Sequence, residues 1–289
     1  MKTPCILTGV FVLLALGACS SSDPAVPLTA PPVATSVAAP SYREVAERYN
    51  RNIQRIERLW ARSVVELRWR AKDRKRFEQG DGHLILILPD RLAFSVGKLG
   101  EPLLWVGSDS QRYWFIDRTD ADEKVAFVGR HDRTVRGGPR NSPLPFRPLD
   151  LPHLLGLVPL DPDPGSTGSP VVESYDGQWL VEPPGNEVRM LLDPQTALPV
   201  RVDLLDSQGY STVIAHLERP ALLTLENLPP GAYPRIATRA EVRIPGSEGH
   251  MTLFLSDPTD EERKFKPEAF DFEHLTEVLG PLTVEDLDR

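Results

Sequence analysis

Beyond residue 19 the chain has no cysteine: its two thiols, Cys5 and Cys19, both fall near the start of its 289 residues. The sequence that follows therefore forms no disulfide, no thiolate metal site and no cysteine nucleophile. Histidine is sparse, with six residues (His83, His131, His153, His216, His250, His274), none at ligand spacing such as H-x₃-H. There is no G-x-S-x-G elbow and no glycine-rich phosphate cradle leading from a strand into a helix. The prolines of Asp161-Pro162-Asp163-Pro164 make that stretch unlike an EF-hand loop. No apolar run reaches the ~20 residues needed to cross a bilayer as a helix. Basic residues are the minority, 33 against 41 acidic, for a net charge of −8. That balance gives no footprint for nucleic acid and no pull toward anionic headgroups. The expectation is a non-enzymatic chain with no metal, no cofactor and no nucleic-acid partner. No internal repeat is visible.

What is present begins at the N-terminus. Lys2 is the only charge before Asp23, and the apolar run Ile6–Leu16 has the length of a secretory h-region. Leu16-Gly17-Ala18-Cys19 resembles a bacterial lipobox. The resemblance implies a lipoprotein signal peptide over 1–18, cleavage before Cys19, lipid on its thiol and an acylated new N-terminus. Two or more acyl chains hold a protein firmly on a membrane where one does so only marginally. Ser20 follows where Asp would favour inner-membrane retention, so the analogy points to the outer membrane. Residues 20–40 are dominated by Pro, Ala, Ser and Thr and read as a linker. The domain expected is 41–289, with 19–40 as lipidated Cys and tether.

The stretch from Ser41 to Ser63 predicts a helix. Ser41 and Glu44 form a capping box, and Tyr42, Val45, Tyr49, Ile53, Ile56, Leu59 and Trp60 share one face. Period two follows: Val65, Leu67 and Trp69 lie on one side, Glu66, Arg68 and Arg70 on the other. Strands separated by short turns then argue for an antiparallel meander. Turns fall at Pro89-Asp90, at Ser108-Asp109-Ser110 and at Gly246–Gly249, and "LDLPHLLGLV" predicts a short helix with Asp150 as cap and Pro152 in its first turn. The count is about eleven strands.

This order of elements resembles the periplasmic lipoprotein carrier LolA, its outer-membrane partner LolB and related lipoprotein-sorting proteins. The resemblance spans most of Ser41–Leu275. It is carried by the N-terminal helix, "LPDRLAFSV", "LPFRPLDLPHLLGL", "NEVRMLLDPQTALPVRVDLLDSQG" and a closing "PEAFDF" strand. It implies a mainly β (α+β) fold: a single curved, antiparallel, half-open β-barrel. The N-terminal helix and the short mid-chain helix would lie over its mouth, and an apolar cavity would take acyl chains. Two departures stand out. Leu88 occupies the place before Pro89 where carriers set a basic residue, with Arg91 just beyond. An anchor at Cys19 also rules out a freely diffusing carrier.

Candidate cavity and lid residues are Leu67, Trp69, Phe94, Trp105, Trp114, Ile116, Ile53 and Leu59. Further large side chains are Phe77, Phe115, Phe127 and Trp179. Leu144 and Phe146 are candidates for an exposed apolar loop of the LolB kind. The expected partners are a membrane, through acyl chains on Cys19, and a lipid or acylated lipoprotein as ligand. The alternative is a structural or interaction lipoprotein of the envelope with the same fold packed solid.

Overall fold

The computed structural model describes residues 39–71, 74–120, 124–133, 144, 146–165, 169–185, 187–280 and 283–288. The signal segment, Cys19 and nearly all of the linker lie outside them. Residues 39–289 form one compact unit.

Helix α1 (Tyr42–Ile53) starts at the capping box: Ser41 Oγ accepts from Glu44 N, and Glu44 Oε2 accepts from Ser41 N at 2.8 Å. It ends at Gln54, well short of Ser63. From Arg58 the chain is strand β1 (Arg58–Ala71). Ile56 and Leu59 satisfy the helical period, but Leu59, Ala61, Ser63, Val65, Leu67 and Trp69 are buried at every second position, while Trp60 is covered on the opposite face. A strand needs that period of two.

Strands β2 (Arg74–Ile87), β3 (Arg91–Lys98), β4 (Glu101–Ser108), β5 (Arg112–Asp117) and β6 (Val125–Arg130) continue the first meander. Gly80 and Gly82 lie mid-strand in β2. A Cβ on either would meet the backbone oxygen of Gly97 (2.3 Å) or Ser95 (1.9 Å), so bare glycine lets β3 come close. A long crossover holds α2 (Asp150–Leu154). The second meander is β7 (Val171–Tyr175), β8 (Gln178–Glu182), β9 (Val188–Leu192), β10 (Pro199–Leu205), β11 (Ser211–Leu222), β12 (Arg235–Arg243) and β13 (His250–Thr259). Strand β13 returns beside β1, fusing both meanders into one sheet. Two 3₁₀ turns, α3 (Phe272–Leu279) and β14 (Thr283–Asp286) complete the chain.

Among the described residues the sheet has fourteen strands rather than about eleven; the expected half-open barrel is an open, curved sheet that does not close, with β14 and β7 at its edges. "PVVESYDGQWLVEPP" holds two strands folded at Asp176-Gly177, both at positive φ, the Asp-Gly hairpin turn. Strand β14 pairs with β6 in parallel, an exception in an otherwise antiparallel sheet. The expected closing strand at "PEAFDF" is instead a 3₁₀ turn running into α3. Asp271 caps α3, accepting from His274 N at 2.9 Å. Asp150 does not cap α2; it is its first residue and binds Arg147, accepting from its backbone N at 2.8 Å.

The main core lies between the inner face of the sheet and a layer made of α1 and the crossover. A smaller apolar layer sits on the outer face, where α3 packs Phe272 and Leu275 against Trp114, Ile116 and Ala126. Arg112 pins α3 there with a bidentate pair to Glu273, at 2.8 and 2.6 Å.

Candidate functional site

Helix α1 meets the crossover and the second meander through side chains that bind backbone. Tyr49 Oη donates to Gly156 O (2.8 Å) or Val158 O (3.0 Å). The Asn50 carboxamide bonds both backbone groups of Leu160. The Asn52 carboxamide does the same with Arg235, at 2.6 and 2.8 Å. Arg48 donates to the carbonyls of Pro194 and Gln195 and lies 4.6 Å from the Trp179 ring. These contacts clasp α1 along its length over the inner face. Burial pushes the Tyr49 phenol far up, so it stays a neutral donor.

The candidate cavity residues divide between the two faces. Leu67, Trp69, Phe94, Ile53 and Leu59 share the inner core, as do Phe115 and, at its margin, Phe127 and Trp179. Trp105, Trp114 and Ile116 project from the opposite, outer face, because each neighbours an inward residue: Leu104, Tyr113 or Phe115. Phe77 is exposed beside the Arg68 guanidinium. Leu144 and Phe146 are not an exposed loop: both are buried in the inner core, where the crossover folds back over the sheet. Arg91 is exposed at the start of β3, opposite Ile87.

The inner face itself is filled. Tyr49, Leu67, Phe94 and Phe115 are each only 1% exposed. Open space remains along the margin of the covering layer. One groove of about 370 Å³ lies between α1 and the β8–β9 connection. Tyr42, Val158, Leu160, Pro183, Pro184 and Met190 line it. A second, of about 490 Å³, runs between α2 and strands β9 to β11, past Phe146, Leu149, Leu204 and Val213. The two adjoin, sharing His153, Glu187 and Val188. A smaller hollow of about 220 Å³ lies at the far end of α1, beside Leu155, Leu217 and Ile236. The larger two fall in the ~300–1,000 Å³ range of small-ligand sites.

Polar and charged groups share these walls: Tyr42, His153, Asp161 and Glu187 in the first groove, His131, Arg147, Asp150, Asp206 and Thr212 along the second. Tyr42 Oη is buried there with no partner among the described residues, and burial with the nearby Asp161 raises its pKa. His153 is held below the usual imidazole range, chiefly by burial and in part by Arg147, against the opposing pull of Asp150 and Glu187. It stands as neutral imidazole at neutral pH. Among the described residues, no three His, Cys, Asp or Glu side chains gather as a metal site, and no helix is long and apolar enough to cross a membrane.

Sequence reasoning missed His153, Val158, Pro183, Pro184, Val188 and Met190. The available signal was the pairing of two proline-rich apolar stretches, "LVPLDPDP" and "VEPPG", whose stiffness holds apolar walls apart.

Neither a protein-family model nor a curated protein matches this chain. Among solved structures, the chain is similar to a LolA superfamily protein from Nitrosomonas europaea: 11% identity, 82% of this chain, 100% of that one, TM-score 0.47. It is similar to an outer membrane lipoprotein-sorting protein domain from Vibrio parahaemolyticus, at 11% identity over 81% of this chain and 97% of that one, TM-score 0.47. A DUF1329 family protein from Desulfovibrio piger stands at 11% identity, with coverage of 81% and 97% and TM-score 0.42. Two of these neighbours bear names of the group that the sequence resembles.

Proposed function

We propose that this chain is a lipid-anchored protein of the cell envelope that holds an acyl chain, of a lipid or of an acylated protein, in the groove beside α1. One observation carries the reading: two adjoining grooves meet at His153 and Val188, each with an apolar wall, Val158, Leu160, Pro183, Pro184 and Met190 in one and Phe146, Leu149, Leu204 and Val213 in the other. Their walls suit an alkyl chain, at about 0.8 kcal/mol per buried CH₂. The unpartnered Tyr42 hydroxyl suits the carbonyl of an ester-linked or amide-linked chain. The task involves no catalytic step; the chain passes from one apolar groove to another. Cys19, on the lipobox reading, would hold the domain at the periplasmic face of the outer membrane, with the Pro-rich segment as tether.

The test is uptake of N-phenyl-1-naphthylamine by residues 39–289, with displacement by a monoacyl phospholipid. Val188→Glu puts a charge in the wall both grooves share. It should weaken uptake by about tenfold, given the cost of burying an unpaired carboxylate. Unchanged uptake in a folded Val188→Glu protein would refute the site.

A second reading, a scaffold that binds a protein partner, is favoured by the filled inner face. It predicts no fluorophore uptake by either protein.

A further inference from the structure

The sheet has a separate hollow on the face away from α1. It measures about 400 Å³ and opens between the outer face and residues 263–279. Trp60 and Ile85, cross-strand partners, form its floor with Trp105. Leu275 and Leu279 of α3 form the facing wall. Val278, at its edge, is 66% exposed, an apolar side chain left in water. This space lies across the sheet from the main core and from the groove at Val188.

The rim is of opposite character. Arg263, Lys264 and Lys266 stand around it against one lining carboxylate, Glu268, with His83 and His274 beside them. Lys264 lies 4.2 Å from the Trp60 ring centroid. Arg263 is paired with Glu261. Neither Lys264 nor Lys266 has an ion-pair partner among the described residues. The indole N–H of Trp105 is likewise buried without a partner among them. In a chain of net charge −8, this is a local excess of positive charge set around an apolar floor.

We propose that this hollow binds a single-chain anionic amphiphile, a long-chain carboxylate, with its tail along Trp60, Ile85 and Leu275 and its head at Lys264 and Lys266. The charge complementarity selects an anion, and charge-assisted hydrogen bonds to a carboxylate are the strong kind. The volume, at the low end of the ~300–1,000 Å³ of ligand sites, suits one chain rather than two. The site is independent of the one proposed beside α1.

The test labels residues 39–289 with a photoreactive diazirine analogue of palmitate and maps the adducts by peptide mass spectrometry. Calorimetry then compares palmitate with hexadecanol. Adducts are expected on the peptides carrying Trp105 and residues 263–279. The double variant Lys264→Glu/Lys266→Glu should bind palmitate about tenfold less tightly, because the charge-assisted contacts to its carboxylate are lost. Hexadecanol binding should not change. Val188→Glu should leave palmitate adducts at the outer hollow intact, so a failure of the groove beside α1 is read separately. Adducts confined to that groove, or equal palmitate affinity in the double variant and the parent, would overturn the proposal.

Discussion

The Asn50 side chain acts toward Leu160 as a neighbouring strand would: Nδ2 donates to Leu160 O at 2.6 Å, and Oδ1 accepts from Leu160 N at 2.9 Å. One carboxamide thereby ties α1 to the crossover that covers the inner face. Asn50→Ala leaves both backbone groups of a buried residue without their partner. The expected loss is about 1–3 kcal/mol in urea unfolding. Stability within error of the parent would mean that α1 is held by its apolar face alone.

Phe146 offers a sharper contrast between two pictures of the crossover. In an exposed loop, Phe146→Ala would be nearly neutral. Buried as it is, at 2% exposure, the truncation should cost about 3–5 kcal/mol. The shift in the thermal or urea midpoint decides between them.

Gly107 lies under the Trp114 indole, where a Cβ would sit 2.4 Å from ring atoms. Trp114 is fully buried beneath α3, with Phe272 at 5.7 Å between ring centroids, so it has little room to shift. Gly107→Ala should destabilise by about 1–3 kcal/mol through overpacking. Alanine at Gly177 meets no atom but sits at φ +74°, and should cost ~1–2 kcal/mol of backbone strain instead. Unfolding of the two variants under the same conditions tests whether the close approach or the turn is the tighter constraint.

His153 sets a pH dependence. Its imidazole pKa is lowered in the folded state by burial, while the unfolded chain titrates near ~6.5. Between those values the unfolded state binds the proton that the native state refuses. Stability from this group is therefore full above pH ~6.5 and is lost as pH falls toward the lowered value. His83 and His216 are shifted the same way and add to the trend. His153→Gln should make the stability profile between pH 7 and pH 5 shallower. An unchanged slope would remove His153 from the account.

Much of this architecture is legible in the residues. The Ser41–Glu44 capping box, the alternation of Val65, Leu67 and Trp69, and the turns at Pro89-Asp90 and Gly246–Gly249 all stand where their chemistry puts them. What was not legible has physical causes. Strands β4 and β5 are apolar on both faces, because α3 covers the outer one, so Trp105, Trp114 and Ile116 carry no mark of their side. Ile56 and Leu59 continue the three- and four-residue spacing of Tyr49 and Ile53 up to the point where the strand alternation starts at Leu59, which hid the end of α1. Strand β14 is exposed throughout and pairs only by backbone, leaving no apolar pattern to read. Leu144 and Phe146 sit in an aperiodic, proline-rich crossover, where burial depends on contacts distant in sequence. The groove at Val188 is assembled from α1, the crossover and β9, and no single stretch contains it.

The most direct measurement is of what the protein carries. Residues 39–289 would be produced behind a cleavable signal in the periplasm of a Gram-negative host, purified without detergent and extracted with organic solvent for mass spectrometry. The account predicts acyl lipid near one per protein, reduced by Val188→Glu and displaceable by a monoacyl phospholipid. Protein free of lipid that also fails to take up N-phenyl-1-naphthylamine would contradict it, and would leave the filled fold as a scaffold for a protein partner.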